Sequence, residues 1–190
     1  MTEQPTETTP QEPQAPTGPQ WGRILAWTGL TALLVIVGLG LIRAQEGPVR
    51  TGQEAPKFTI NTFDGEVITP EDMEGKVVVL NFWASWCKPC ESEAADLEAA
   101  WRMHQSRDDI LFLGVDYVDT EPEARGYLEK FDITYPNGPD LRTSVSQAFR
   151  IRGVPETYII GKDGVLVNVQ IGPFNSLAQI QSVILPLLTP

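Results

Sequence analysis

The amino-acid sequence predicts an α/β fold in which a mixed central β-sheet is covered by helices on both faces. Residues 76–83 and 110–117 are almost continuous apolar runs rich in β-branched side chains, as expected of strands buried on both faces. Each run is followed by a segment whose apolar residues recur three and four positions apart, which indicates a helix. Glycine-containing turns join other extended segments into hairpins, so strands of both directions are expected in the sheet.

Two hairpins are predicted, one at the start of this region and one near its end. Their turns contain Asp64-Gly65 and Asp163-Gly164, and an aspartate followed by glycine favours a tight turn between strands. The first hairpin joins residues 57–61 to 66–69, and the second joins residues 157–161 to 165–171.

Four helices are predicted between and after these strands. Asn175 is expected to cap the last one, because asparagine side chains accept hydrogen bonds from free amide groups at helix starts. The helices are expected at residues 89–107, 121–131 and 144–149, and from Asn175 toward Leu188.

Two unusual segments precede this region. Residues 1–20 contain five prolines, five threonines and four glutamines, and no aromatic side chain. Such a segment buries too little apolar surface to offset the entropy of ordering, so a disordered tail is expected. Residues 24–42 carry no charge and would rise about 28 Å as a helix, which is enough to span the hydrocarbon core of a bilayer.

The apolar segment is interpreted as an uncleaved membrane anchor at residues 21–43, with a linker at 44–55 and one domain at 56–190. A buried core helix would show a polar stripe, and this segment has none. A cleaved signal sequence is the alternative, because Ala44 could end a cleavage site, although the apolar run is long for one.

The charges beside the span favour one orientation only weakly. Arg23 precedes it, whereas Arg43, Arg50 and Lys57 follow it, and by the positive-inside rule this difference favours a cytoplasmic carboxyl-terminal side. Long domains cross membranes despite such a bias, so the charge count does not decide the orientation.

Composition excludes several classes of function. Fourteen basic and twenty-five acidic residues give a net charge of −11, which argues against nucleic acid as a partner. Two cysteines exclude a disulfide-stapled scaffold and a four-thiolate zinc site, and a single histidine excludes most multi-histidine metal centres. No metal is therefore expected, and no cofactor is expected beyond the redox-active pair of cysteines described next.

The two cysteines form the motif that predicts chemistry. Cys87 and Cys90 lie in the segment WCKPC, where a buried strand gives way to a helix. A thiol at a helix amino terminus faces free amide groups and the positive end of the helix dipole, which favours its thiolate, the nucleophile of thiol–disulfide exchange. Cys87 is expected to attack first, and Cys90 to resolve the mixed disulfide. Lys88 would help to ionise Cys87, whereas Glu91 and Glu93 oppose it.

Two other interpretations of the cysteine pair are weaker. A zinc site needs two further ligands, and His104 is the only histidine available; it is expected to be a surface or packing residue. A structural disulfide over four residues would close a very small loop and stabilise the fold little.

The sequence resembles the thioredoxin superfamily, and within it the membrane-anchored TlpA/ResA/CcmG group of the AhpC/TSA–redoxin proteins. The resemblance covers roughly residues 52–188 and rests on two blocks in the order and separation of that family. They are GQEAPKFTINTFDGEVITPEDMEGKVVVLNFWASWCKPCESE and GVPETYIIGKDG. The resemblance implies a thioredoxin-like fold whose redox group is the Cys87–Cys90 disulfide itself.

Further site residues are implied by this resemblance alone. Pro155 matches the proline that is cis in this fold and lies against the cysteine pair, and Val154 precedes it. Glu93, one turn after Cys90, and Glu156, directly after the proline, match acidic residues of the cytochrome c maturation members. Either carboxyl group could exchange protons with the cysteines if burial raises its pKa.

Three other residues near the motif carry expectations. Asn81 stands where general thioredoxins have a buried aspartate, so any proton exchange there must use another group. Trp86 is expected to lie at the substrate-docking surface with Lys88 and Val154, whereas Trp83 is expected to be core by strand alternation.

The expected function is that of a membrane-tethered thiol–disulfide oxidoreductase that reduces protein disulfides outside the cytoplasm, with the amino terminus inside. The resemblance implies the C-x-x-C-H disulfide of apocytochrome c as one substrate and a membrane thiol as electron donor. A thiol peroxidase is an alternative, but Ala84 stands where peroxidases place a threonine or serine. An anchored copper chaperone is the other alternative, although such proteins space their cysteines more widely.

Overall fold

The computed structural model describes residues 21–44, 47 and 49–188 of the 190-residue chain. The chain divides into two compact units, Met1–Glu46 and Gly47–Pro190. The predicted tail at residues 1–20 lies outside the described residues.

The first unit contains the helix α1, Trp21–Ala44. It includes the whole of the apolar segment 24–42, and its described side chains are exposed along almost its entire length. Among the described residues, it is the one helix that is long and apolar enough to cross a membrane.

The second unit is built on a five-stranded sheet, which confirms the predicted mixed α/β fold. Its strands are β3 (Val77–Trp83), β4 (Ile110–Asp116), β5 (Asn137–Pro139), β6 (Glu156–Ile160) and β7 (Leu166–Ile171). They lie in the order β5-β4-β3-β6-β7, with β3 at the centre. β3 pairs in parallel with β4 and antiparallel with β6, while β4 and β5 are parallel and β6 and β7 antiparallel.

The first predicted hairpin forms a separate two-stranded sheet of β1 (Ile60–Asn61) and β2 (Val67–Ile68). The helices of this unit are α2 (Pro70–Met73), α3 (Lys88–His104), α4 (Glu121–Lys130), α5 (Ser144–Phe149) and α6 (Leu177–Leu188), with a 3₁₀ turn at Leu141–Thr143.

Strand alternation divides the core between the two faces of the sheet. Even-numbered residues of β3 pack with Phe149 of α5 and Tyr158 of β6, while Val77 and Val79 pack toward α3 and α6. This alternation turns Asn81 and Trp83 toward the helix α3 side. The central strand thereby places polar and aromatic side chains beside the helix that carries the cysteines.

The structure differs from the predicted elements at several points. β5 was not predicted, because its sequence Asn-Gly-Pro is typical of a turn; it forms by parallel pairing with β4. The domain also begins before residue 56, since the amides of Gly52 and Ala55 donate to the carbonyls of Leu166 and Gly164.

Helix ends differ from prediction too. α3 stops at His104 rather than at residue 107. α6 begins at Leu177, and the hydroxyl of Ser176, rather than Asn175, accepts the free amide of Gln179 at 3.3 Å.

Candidate active site

The two cysteines form a disulfide where β3 gives way to α3. Cys87 is the N-cap of α3, and its Sγ accepts a hydrogen bond from the amide of Cys90 at 3.2 Å. Pro89 is tolerated in the first turn because the amide it lacks would have no helical partner there. Both cysteines are buried, in a cluster with Trp83, Ala94 and other side chains of α3 and α4. A helix amino terminus is thus directed at the sulfur that the sequence marks as the nucleophile.

The loop after β4 holds the segment that leads into Cys87. The amide of Tyr117 donates to the carbonyl of Trp83 at 2.8 Å, and the indole Nε1 of Trp86 donates to the carbonyl of Val118 at 3.1 Å. The amide of Ser85 donates to Oδ2 of Asp119 at 2.6 Å. Three hydrogen bonds therefore fix the chain just before the disulfide.

Glu93 lies one turn beyond Cys90 on α3 and is almost completely buried. Its Oε1 accepts from Nδ2 of Asn81 at 2.9 Å, and its Oε2 accepts from the amide of Phe174 at 2.7 Å. Burial raises the pKa of this carboxyl group to about 7, although the two hydrogen bonds partly oppose the rise. Glu93 is therefore a carboxyl group that exchanges a proton near neutral pH.

Asn81 joins Glu93 to the sheet. Its Nδ2 donates both to Glu93 and to Oγ1 of Thr157 on β6, at 2.9 Å each. A buried amide in this position supplies two donors and takes up no proton itself. The titrating carboxyl group next to the cysteines is thus carried by helix α3 rather than by strand β3.

The segment before β6 also contacts the cluster that contains the cysteine pair. The Val154–Pro155 peptide bond is cis, and Val154 packs against the cluster that contains both cysteines. Glu156, the first residue of β6, is buried and pairs with Phe82 of β3. Its Oε1 accepts from the amide of Arg152 at 2.8 Å, and its Oε2 accepts from the hydroxyl of Tyr158 at 2.7 Å.

Neither predicted acid makes a hydrogen bond to a cysteine sulfur among the described residues. Glu93 bonds to Asn81 and Phe174, and Glu156 bonds to its own strand and the loop before it. Helix α3 places Glu93 one turn after Cys90, whereas Oε1 of Glu156 holds the loop before β6 and Oε2 accepts from the Tyr158 hydroxyl within β6.

The predicted docking residues differ in their surroundings. Trp86 is 58% exposed despite its indole hydrogen bond, and Val154 is half-buried. Lys88 is exposed and forms an ion pair with Glu91 at 3.0 Å, and the same carboxylate also pairs with Lys130 at 3.2 Å. These two lysines lower the pKa of Glu91. The charge of Lys88 is therefore partly neutralised by Glu91, which reduces its effect on Cys87.

Sequence reasoning missed two aspartates at the end of β4 and in the loop after it. Asp116 ends the strand in register with Trp83, and Asp119 accepts the Ser85 amide. A polar residue at the end of an apolar strand run was the available signal for Asp116. Asp119 gave none, because its partner Ser85 lies 34 positions away, in the turn between β3 and α3.

His104 lies at the far end of α3, where it is buried and shares a 2.9 Å hydrogen bond with Oε1 of Gln181. Packing between α3 and α6 explains it. Within the ranges that the structure describes, no three His, Cys, Asp or Glu side chains are grouped so as to hold a metal ion.

Comparison with known proteins gives consistent results. The model of the AhpC/TSA family matches residues 51–169. The thiol-disulfide oxidoreductase ResA of Bacillus cereus (strain ZK / E33L) is 30% identical over 129 residues, which are 68% of this chain and 74% of ResA. The thioredoxin-like protein YneN of Bacillus subtilis (strain 168) is 30% identical over 131 residues, or 67% of this chain and 75% of YneN.

A solved structure is similar over the same region. The thiol:disulfide interchange protein of the thioredoxin family from Chlorobium tepidum TLS superposes with a TM-score of 0.66 at 28% identity. The match covers 74% of this chain and 99% of that protein.

Proposed function

Because the chain belongs to the AhpC/TSA family and is a thiol–disulfide oxidoreductase, we propose that it is a membrane-tethered reductant of protein disulfides outside the cytoplasm. The observation that carries this proposal is the Cys87–Cys90 disulfide at the amino terminus of α3, with Glu93 one turn away. The redox-active group is this disulfide, and its substrates are protein thiols and disulfides.

The proposed reaction begins with the reduced pair. The thiolate of Cys87 attacks one sulfur of the substrate disulfide, that disulfide breaks, and the departing substrate sulfur takes up a proton. The thiolate of Cys90 then attacks Cys87 Sγ, so that the mixed disulfide breaks and the second substrate sulfur leaves and is protonated. Two electrons and two protons have passed to the substrate, and the protein is left with the Cys87–Cys90 disulfide.

Glu93 is proposed to take the proton that Cys90 loses in the second step. A base is most effective when its pKa lies near the working pH, and the pKa of Glu93 is about 7. Its position three residues after Cys90 places it on the following turn of α3. The transfer would run directly or through a water molecule.

Pro155 and Glu156 are proposed to shape the side of the site where substrate lies. Glu156 holds the amide of Arg152 and thereby orders the segment that carries Val154 and Pro155. Its role would then be positioning, since its Oε1 holds the segment that carries Pro155.

Protein substrates are proposed to dock on an apolar surface around the disulfide. Trp86 and Val118 are 58% and 59% exposed, and Val154 borders the cysteine cluster. Exposed apolar side chains beside a reactive group are typical of protein–protein contact. Lys88, exposed at the first position of α3, would contact acidic or carbonyl groups of the substrate.

The helix α1 is proposed to anchor this domain, with the bilayer around residues 24–42 and the amino terminus in the cytoplasm. Outside the cytoplasm the reductant would need electrons from a membrane thiol donor, which would reduce the Cys87–Cys90 disulfide by the reverse exchange. The proposed substrate class includes the C-x-x-C-H disulfide of apocytochrome c.

A mixed-disulfide trap tests this proposal. In Cys90→Ser the resolving thiol is missing, so the full chain should remain linked through Cys87 to an oxidised C-x-x-C-H peptide. Cys87→Ser is the matched control, because it keeps one thiol but removes the attacking one. Equal trapping by the two variants, or none by either, would refute the assignment of the two cysteines.

The reduction potential decides the direction of the reaction. A reduction potential of about −270 mV for the Cys87–Cys90 pair, as in thioredoxin, would support a reductant. A reduction potential of about −120 mV would instead mean a disulfide donor, and the proposed role in reduction would be wrong.

A further inference from the structure

The loop between β4 and α4 contacts the turn that precedes Cys87. We propose that Asp119 is a positioning residue for disulfide exchange, which holds the chain before Cys87, and that a proton on the neighbouring Asp116 keeps it there. The contact between Asp119 and the chain before Cys87, and its dependence on pH, do not depend on the proposed reduction of substrates. Only the effect of this contact on disulfide exchange rests on that proposed function.

Asp119 acts on the backbone that sets the direction of Cys87. The amide of Ser85 reaches Oδ2 of Asp119 at 2.6 Å, a short hydrogen bond, while Oδ1 accepts the amide of Thr120 at 2.8 Å. Ser85 lies inside the turn that the Cys87 amide closes on the carbonyl of Ala84 at 3.1 Å. Asp119 thus fixes the middle of the turn whose last residue is the nucleophile.

Val118 extends the same contact to the exposed tryptophan. Its carbonyl accepts the Trp86 indole, and its own backbone has a φ of 49°, in the left-handed region. A β-branched residue is unfavourable in this region, so the surrounding contacts must hold it there. If the bond between Asp119 and Ser85 weakened, the strained residue beside it would be free to relax and Trp86 would lose its acceptor.

Asp116 lies next to Asp119 in an environment that favours its neutral form. It is 3% exposed, and its Oδ1 has no hydrogen-bond partner among the described residues. An ionised carboxylate oxygen buried without a donor is strongly unfavourable, whereas a protonated carboxyl group tolerates it better. The side chain of Asp119 is within hydrogen-bonding reach of Asp116, so a protonated Asp116 can donate a hydrogen bond to it.

Within the described part of the chain, the charged groups that act on Asp116 are both negative. Asp119 acts from the loop after β4, and Asp140 acts from the segment after β5. Asp140 already accepts the amides of Val145 and Ser146 at 2.8 Å each. From β3, the residue in register is the uncharged Trp83.

These surroundings define when the contact should weaken. Burial and the two neighbouring carboxylates raise the pKa of Asp116 to about 8. Above that pH a second negative charge would appear beside Asp119, and the repulsion would move Asp119 away from the Ser85 amide. The turn before Cys87 and the indole of Trp86 would then become less ordered.

The test follows the indole Nε1–H resonance of Trp86 by NMR in the oxidised full chain in detergent micelles. Neither cysteine titrates in the disulfide form, so thiol ionisation does not contribute. The Trp86→Phe variant identifies the resonance by its disappearance. Between about pH 6 and about pH 10, the wild-type shift should show a step with a midpoint near 8.

Asp116→Asn should remove this step, because asparagine has a similar shape and no proton to lose. Glu93→Gln is the matched control, and it should leave the step at the same pH. If the wild-type resonance shows no step near pH 8, or if the step persists in Asp116→Asn, the inference is wrong.

A second variant covers the case in which Asp116→Asn does not fold. Asp119→Asn keeps an acceptor for Ser85 but removes the charge that an ionised Asp116 would repel, so the step near pH 8 should disappear. A step that persists at the same pH in Asp119→Asn would overturn the inference. Because these readouts need no substrate, their failure is distinguishable from failure of the mixed-disulfide trap.

Discussion

Replacing Glu93 by glutamine should make the domain more stable at pH 8 than at pH 4.5, relative to wild type. The pKa of Glu93 is about 7 in the folded domain, against an ordinary value of 4.5. The folded state therefore binds this proton more tightly than the unfolded chain does. The resulting stabilisation is complete below about pH 4.5, declines as the pH rises and is lost above about pH 7.

The size of the effect follows from that difference of about 2.5 in pKa. At about 1.4 kcal/mol for each tenfold change in proton affinity, the wild-type domain loses about 3.5 kcal/mol in total because of Glu93, of which about 3 kcal/mol is lost between about pH 4.5 and about pH 8. Glutamine cannot ionise and escapes this loss. The Asn81 amide can turn over to accept from the glutamine amide and from the Thr157 hydroxyl, so the buried hydrogen bonds can be kept.

The assay is denaturant unfolding of the oxidised full chain in a mild detergent, followed by near-ultraviolet circular dichroism at several pH values. The unfolding free energy of Glu93→Gln minus that of wild type should rise by about 3 kcal/mol from about pH 4.5 to about pH 8. Glu91→Gln is the control, because lysines lower the pKa of Glu91 and its removal should act in the opposite direction. A difference that is constant with pH would refute the account of Glu93 as a buried neutral acid.

Two further substitutions test the surroundings of the site. Asn81→Asp should make the unfolding free energy fall more steeply above about pH 5 than in wild type. The reason is that two buried carboxyl groups, at residues 81 and 93, would then share one proton. Parallel pH profiles for the variant and wild type in the same unfolding series would contradict this expectation. Gly114→Ala should lower the unfolding free energy by about 3 kcal/mol, since the added methyl group would collide with Asn137 and break its 2.8 Å hydrogen bond with the Trp83 indole. A loss below about 1 kcal/mol in chemical unfolding would show that the site can accommodate the methyl group.

The parts of the site that could be predicted are those set by neighbours along the chain. A strand-to-helix junction places Cys87 at a helix start whatever surrounds it, and a spacing of three places Glu93 one turn after Cys90. From the sequence, the pKa of Glu93 could be predicted to rise only if the side chain is buried. Its burial depends on how α3 packs on the sheet. The structure shows that Glu93 is buried, because its carboxyl group contacts Asn81 of β3 and the amide of Phe174 after β7.

The parts that could not be predicted depend on strand register. β5 has a turn-like sequence and becomes a strand only because β4 offers it an edge. The contact between Asp119 and Ser85 joins residues 34 positions apart, and nothing local to either one indicates the other. Such contacts follow from the order of strands in the sheet, which the hydrophobic pattern constrains but does not specify.

The acidic composition of the chain disfavours a thiolate, and the structure lowers the negative charge near the cysteines. A net charge of −11 should oppose ionisation of a thiol, because nearby negative charge disfavours a second one. Yet the pKa values of Glu93 and Asp116 are about 7 and 8, so both carboxyl groups spend much of their time protonated near neutral pH. The burial that raises the pKa of Glu93 therefore also removes negative charge near Cys87. The positive end of α3 then meets less opposition at the sulfur that has to carry the charge.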